Sequence, residues 1–281
     1  MVGNTGTPKA RALGAELRAA RERAGVSQRA LSRQLGIANS TLSRWEDGHR
    51  MPPVEDVAAI LGILGVSGEQ REHLLQLARN PDSSHWVSVG MPDQQRQLAA
   101  LLEFERTATR ITDVSPLLIT GMLQTADYAR AIMVSGGVPP MEVPTRVAVR
   151  VGRREMLHRD DPVHLVAVVG EAALRTMIGG PEVMAEQLRF LVKVSALPNV
   201  DLRVLPLDIG WNPSLEGPFV LLEFERATPI VHLENRRSAM FLHEKEDVDA
   251  YRLAVDSVLA AAMSPEESSE VIAEEIKRLE S

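Results

Sequence analysis

Cysteine is absent from all 281 residues. Disulfides, thiolate nucleophiles and thiolate zinc sites are therefore excluded, and a cytoplasmic address is the expectation. No apolar run approaches the ~20 residues that a membrane-spanning helix needs, so no membrane partner is expected. The opening MVGNTGTPKARALG has no apolar core segment and reads as no secretory leader. Internal repeats and low-complexity tracts are missing as well. Lysine is scarce, with only Lys9, Lys193, Lys245 and Lys277 among 31 basic residues, which we read as coding bias, not chemistry. What is present is ordinary: 44% hydrophobic and 25% charged residues, the composition of a soluble globular chain with one or two domains.

The net charge of −7 argues at first against an anionic partner, but the distribution does not. Residues 1–66 hold nine basic and six acidic side chains, 9 − 6 = +3, and the remainder holds 22 and 32, 22 − 32 = −10. Between Lys9 and Arg50 the balance is 9 − 4 = +5. An acidic body with a basic head predicts that the head alone meets an anion.

The head reads as short helices. Leu13, Leu17, Ala20 and Ala24 form a stripe at helical spacing that ends at Gly25. Ser27 is an N-cap for a second helix with Leu31 and Leu35 inward, and Gly36 ends that helix in a left-handed turn. The stretch NSTLSRWEDG, ended by Gly48, makes a third. Pro53 opens a fourth, with Val54, Val57, Ala58 and Leu61 inward and Glu55 and Asp56 in its first turn, and a fifth spans 69–78. The turn-rich NPDSSHWVSVGM (80–91) is the expected boundary. The division is residues 1–79 as the head, 80–97 as linker and 98–281 as the body. In the body, helices are expected over 93–112, 124–135, 141–158, 171–177, 181–196, 246–263 and 265–279. Strands are expected over 163–169, 200–206, 217–224, 229–234 and 240–243. The predicted fold is an all-α helix-turn-helix domain followed by an α+β domain with a mostly antiparallel sheet covered by helices.

The second and third helices, joined at Gly36, have helix-turn-helix spacing. With Leu42 and Trp45 inward, Asn39, Ser40, Thr41, Ser43 and Arg44 occupy the leading and outer part of the third helix. Such a helix enters the major groove, where Asn pairs with adenine, Ser with either partner and Arg with guanine. Gln28 would present its amide to a phosphate, and Arg29, His49 and Arg50 would add charge beside it. Any one of these residues alone reads better as solvated polar surface. Together with the caps, the Gly turn and the local basicity, they read as a site for double-stranded DNA.

These residues also carry a resemblance. LRAARERAGVSQRALSRQLGIANSTLSRWEDGHRMP, continuing into VAAILGILGV, resembles the helix-turn-helix of the lambda-repressor/Cro type, the xenobiotic-response-element family. The resemblance implies that Gln28 clamps a phosphate and that Asn39, Ser40 and Arg44 fall on base-reading positions. Ala38 stands where the family usually caps the recognition helix with Ser or Thr, so Asn39 is expected to cap instead and to be partly withdrawn from bases. From Leu98 to Ser281, the segments ITGMLQTADYARAIM, VGEAALRTMIGGPEVMAEQLRFLV, LPNVDLRVLP and EGPFVLLEF resemble a C-terminal domain of actinobacterial regulators. That domain has no assigned function and is sometimes described as antitoxin-like. It implies a transcription factor modulated by a small companion protein. Its Leu-Gln-Thr element is kept at Leu123-Gln124-Thr125, while Thr120 stands where Pro is usual.

No catalytic or metal set emerges from the body, and no cofactor is expected. His232-Leu-Glu234 superficially resembles the His-x-Glu of zinc deaminases but lacks the paired cysteines. His158, His164 and His243 have no ligand spacing, Gly179-Gly180 is a helix–helix turn, and Glu103 and Glu105 lie on adjacent helix faces. Arg153-Arg154 and Arg236-Arg237 read as surface cations before they read as an anion site. Trp211-Asn212-Pro213 is the best candidate for a contact tip. The body is expected to sense a companion protein or a small molecule in an apolar pocket, or to supply a homodimer interface, since a lone head reads a half-site. The apolar stripe Val271, Ile272, Ile276 and Leu279 suits packing on the domain's own sheet better than docking. The rival expectations are an antitoxin-like module whose DNA binding is autoregulatory, and an enzyme fused to a DNA-binding head.

Overall fold

The computed structural model describes residues 6–79, 85–89, 91–236 and 238–281, with the backbone course alone at 85–89 and 91–97. The chain forms two compact units that do not follow chain order: residues 1–107 with 223–248, and residues 108–222 with 249–281.

The first unit starts with α1 (Pro8–Arg23), where Pro8 is pre-set for a first turn and the Thr7 hydroxyl accepts from the Ala10 N–H at 3.2 Å. Next come α2 (Gln28–Leu35), capped by Ser27, then α3 (Asn39–Glu46), α4 (Val54–Ile63) and α5 (Gly68–Arg79). Gly36 turns the chain between α2 and α3 at φ 68°, a conformation that costs a residue without Cβ nothing. Leu13, Leu17, Leu31, Leu42, Trp45, Val57, Ile60, Leu61 and Leu74 close the core of these five helices. Ala24, expected at the end of the α1 stripe, is exposed.

Residues 85–89, inside the expected linker, form strand β1 (His85–Val89), and α6 (Met91–Thr107) follows. Residues 80–84 and 90, the rest of that turn-rich stretch, lie outside the described residues.

The second unit opens with β2 (Arg110–Ser115), followed by α7 (Ala126–Ser135), α8 (Val143–Gly152), β3 (His164–Gly170), α9 (Glu171–Arg175), α10 (Pro181–Ser195), β4 (Val200–Leu205) and β5 (Phe219–Glu223). β2, β3 and β4 are parallel neighbours, with Ile111 opposite Leu165 and Leu165 opposite Val200. Parallel pairing requires crossovers, supplied by α7–α8 and by α9–α10. Leu165 to Val169 is buried without alternation, as in a strand covered on both faces. β2 was expected as the end of a helix. Its Thr112 and Asp113 are as buried as Ile111 and Val114, so neither period shows in the letters.

Back in the first unit, β6 (Ile230–Glu234) and β7 (Ser238–Leu242) form an antiparallel hairpin, and β1 pairs antiparallel with the far side of β7. The expected α+β class with a mostly antiparallel sheet and covering helices agrees with this fold; the parallel exception is β2–β3–β4. The chain ends with α11 (Lys245–Ala261) and α12 (Pro265–Glu280), the latter begun by a reciprocal capping box between Ser264 and Glu267. α12 packs on α10 and β4 through Ile272 and Ser268, whose hydroxyl accepts from the Val204 N–H at 2.8 Å. No helix among the described residues is long and apolar enough to cross a membrane.

The Leu-Gln-Thr element is a buried clamp in the second unit. The Gln187 amide accepts from the Thr125 N–H and donates to the Leu123 carbonyl, both at 2.7 Å. Gln124 bonds the Ile119 carbonyl at 2.8 Å and accepts from Arg150 at 3.0 Å. Arg154 donates to the Gln124 carbonyl at 2.7 Å and lies over the Phe190 ring, which gives this arginine a structural use in place of the weighed anion site. Arg237 of the other pair lies outside the described residues.

Candidate nucleic-acid interface

α3 divides into two faces. Leu42 at 0% exposure, Trp45 at 4% and Glu46 at 3% lie inward. Asn39, Ser40 and Arg44 are exposed, and Thr41 and Ser43 are half-buried. One helix thus fixes its position through its inner side and leaves amide, hydroxyl and guanidinium groups on the other.

The expectation that Asn39 caps α3 is corrected. Ala38 is the cap residue, without a side-chain hydrogen bond, and Asn39 is the first helical residue. Freed from capping, the Asn39 amide donates to the Gln28 Oε1 at 3.3 Å. Gln28 is half-buried at the start of α2, and its own Nε2 donates to Glu46 Oε2 at 3.1 Å. Its amide is thus a bridge between α3's first residue and α3's last. Ser43, expected to face outward, is half-buried and donates to the exposed Asp47 Oδ2 at 2.9 Å.

Glu46 was not singled out from the sequence, yet it organises the site. Arg21 grips it in a two-pronged ion pair, Nε to Oε1 at 2.7 Å and Nη2 to Oε2 at 2.9 Å, with side-chain exposures of 11% and 1%. Such planar pairing strengthens the bond and fixes direction. The carboxylate raises the Arg21 pKa, chiefly through this hydrogen bond. Arg18 bonds Asp47 and the Glu46 carbonyl, the latter at 3.1 Å. A continuous polar chain therefore runs Arg21–Glu46–Gln28–Asn39 beneath the outer surface. The one signal in the sequence was an acid immediately following the inward Trp45 in a stretch otherwise dominated by Arg.

The outward side chains behave differently. Arg29, Arg44, His49 and Arg50 are exposed and make no ion pair among the described residues. The turn after α3 keeps the last two beside the helix, since the Arg44 carbonyl accepts from the His49 N–H at 2.9 Å and from the Arg50 N–H at 3.3 Å. Unpaired guanidinium groups, together with exposed Asn39 and Ser40, suit a polyanion with readable base edges.

The weighed chemistry of the body finds no such convergence. His232 is buried and stacked on Phe241, ring centroids 4.7 Å apart, whereas Glu234 at the strand end is exposed. Trp211 is 72% exposed, but its neighbour Asn212 is buried, capping a short turn by accepting from the Ser214 N–H at 3.1 Å.

Residues 98–274 match the family model described as a domain of unknown function (DUF5753), and residues 12–74 match one described as a helix-turn-helix domain. No curated protein matches the chain.

Proposed function

Because this chain belongs to the DUF5753 family and carries a helix-turn-helix domain ahead of the family's segment, we propose that it is a cytoplasmic, sequence-specific transcriptional regulator of the lambda-repressor/Cro type that binds its operator as a homodimer. One observation carries this reading: exposed Asn39, Ser40 and Arg44 with unpaired Arg29, His49 and Arg50 around them, on a helix locked from behind by Leu42, Trp45 and Glu46. Arg44 pairs with a guanine edge, Asn39 held by Gln28 pairs with adenine, and Arg29 and Arg50 neutralise phosphates. The C-terminal domain senses a small molecule or a companion protein; no catalytic step is part of the proposal.

The test is salt dependence of binding to a random-sequence duplex. Each phosphate contact contributes close to one unit of the log–log slope, so the Arg29→Ala/Arg50→Ala double variant should lower the slope by about two. A wild-type affinity indifferent to salt would contradict the proposal.

A second reading, an antitoxin-like module that binds a small companion protein, is supported by exposed apolar side chains on the second unit. Leu117 (67%), Leu207 (60%), Trp211 (72%) and Leu215 (64%) sit on loops that follow β2 and β4, at the end of the sheet where these parallel strands stop. Isolated apolar residues are ordinary on surfaces; several at one end of a sheet are less so. Loss of a gel shift when the companion is added would favour that reading.

A further inference from the structure

Arg11, in the first turns of α1, packs on aromatic faces. Its guanidinium lies between two rings, 4.8 Å from the centroid of Phe104 on α6 and 3.9 Å from that of Phe224. Nη2 donates to the Thr107 hydroxyl at 2.9 Å, and the buried Nη1 has no hydrogen-bond partner among the described residues. A guanidinium held by ring faces in place of a carboxylate keeps its attraction when water is excluded. Burial pulls its pKa down to about 10, with nearby Glu103 opposing, so it stays charged at neutral pH. Phe104, Thr107 and Phe224 all lie within the segment matched to the family of unknown function.

The backbone of the same residue abuts the end of the recognition helix. Gly48, at φ 68°, closes α3, and a Cβ there would lie 2.4 Å from Arg11 Cα. Three residues on, a Cβ at Gly14 would meet the Trp45 carbonyl oxygen at 2.3 Å. α1 and the end of α3 are therefore in backbone contact, with no layer of side chains between them to absorb a shift. Farther along α1, Arg18 and Arg21 hold Asp47 and Glu46. On the α6 side the contact is narrow. Glu103 and Arg106 line two clefts, of about 380 Å³ and about 290 Å³, and the smaller cleft also reaches Arg18, Glu46 and Asp47.

We propose that Arg11 is a positioning residue for DNA readout: clasped by Phe104 and Phe224, it fixes α1, and through Gly48 and Gly14 it fixes the placement of α3. The family segment thereby sets the geometry of the recognition helix, and a change that withdraws Phe224 loosens it. This rests on the DNA-binding reading above, and the test separates the two.

The full-length chain is compared with Phe224→Ala, Phe224→Tyr and Arg11→Met by amide hydrogen exchange without DNA. The same proteins are titrated with the duplex that the wild-type chain enriches from a random library and with its scrambled counterpart. In Phe224→Ala and Arg11→Met, amides 42–46 of α3 should exchange roughly tenfold faster than in wild type, the loss of about one cation–π clasp, while amides 57–61 of α4 keep their protection. The preference for the enriched over the scrambled duplex should fall roughly fivefold, and Phe224→Tyr should restore both. Equal acceleration in α3 and α4, or no acceleration in either, overturns the proposal. So does an unchanged duplex preference beside loosened α3. If wild type prefers no duplex while α3 loosens as expected, the clasp stands and the DNA-binding reading fails.

Discussion

Behind α3, Arg21 pairs with buried Glu46, and Arg18 pairs with the exposed Asp47 that follows it. On the outer side Arg29, Arg44 and Arg50 reach no carboxylate among the described residues. In the second unit arginines pair with acids nearer the surface: Arg203 with Asp201 at 3.0 Å, Arg146 with Glu142 at 2.7 Å, and Arg189 with Glu280. The difference teaches that net charge is a poor guide to an anion site. A chain of −7 presents positive charge where its acids are turned inward, because an acid buried under a cation subtracts nothing from the surface beyond it.

The comparison breaks most visibly at Glu46. Glu46→Ala leaves Arg21 enclosed without its carboxylate and unties Gln28, and removing one partner of a buried pair costs about 3–5 kcal/mol. Urea unfolding of the full chain should show that loss in the transition that reports Trp45. A loss under about 1 kcal/mol would place the pair among weak surface bridges. Next in size is Gln187→Ala in the second unit, which strands the Thr125 N–H and the Leu123 carbonyl. Unmade buried bonds cost about 1–3 kcal/mol each, so its unfolding midpoint should fall while the duplex preference stays at the wild-type ratio. A changed ratio would mean that the clamp acts on α3.

The smallest effect concerns pH. Burial, and then the charge of Arg110, lowers the His164 pKa below 6.5, with Asp201 opposing. The unfolded chain takes up this proton near 6.5, and the folded chain resists it to lower pH. The contribution to stability is therefore complete above that value and shrinks as pH falls through it. His164→Asn should flatten this slope in unfolding measured on either side of 6.5; an unaltered slope would assign the acid sensitivity elsewhere.

The helix-turn-helix was legible because its determinants are local: Ser27 caps, Gly36 turns, and Leu42 and Trp45 recur at helical spacing. The exposure of Asn39, Ser40 and Arg44 followed from the same periodicity. Glu46 and Arg11 were not legible, because their partners are 25 residues away for Arg21 and 96 for Thr107, and nothing in the local pattern marks a pairing at that range. The Ser43 bond to Asp47, one turn on, was not legible either. β2 was hidden because a strand covered on both faces has no alternation to read. That residues 223–248 belong with the head's compact unit also left no trace in composition.

The central claim is that the outer face of α3 reads bases. Its most direct test is selection of bound duplexes from a random library by the wild-type chain and by Arg44→Ala. The account predicts one enriched sequence for wild type and, for the variant, the same sequence with its preference for guanine lost at one position of each half-site, a difference of about 1–3 kcal/mol in discrimination. Two superimposable sequence preferences, or none in either protein, would contradict it.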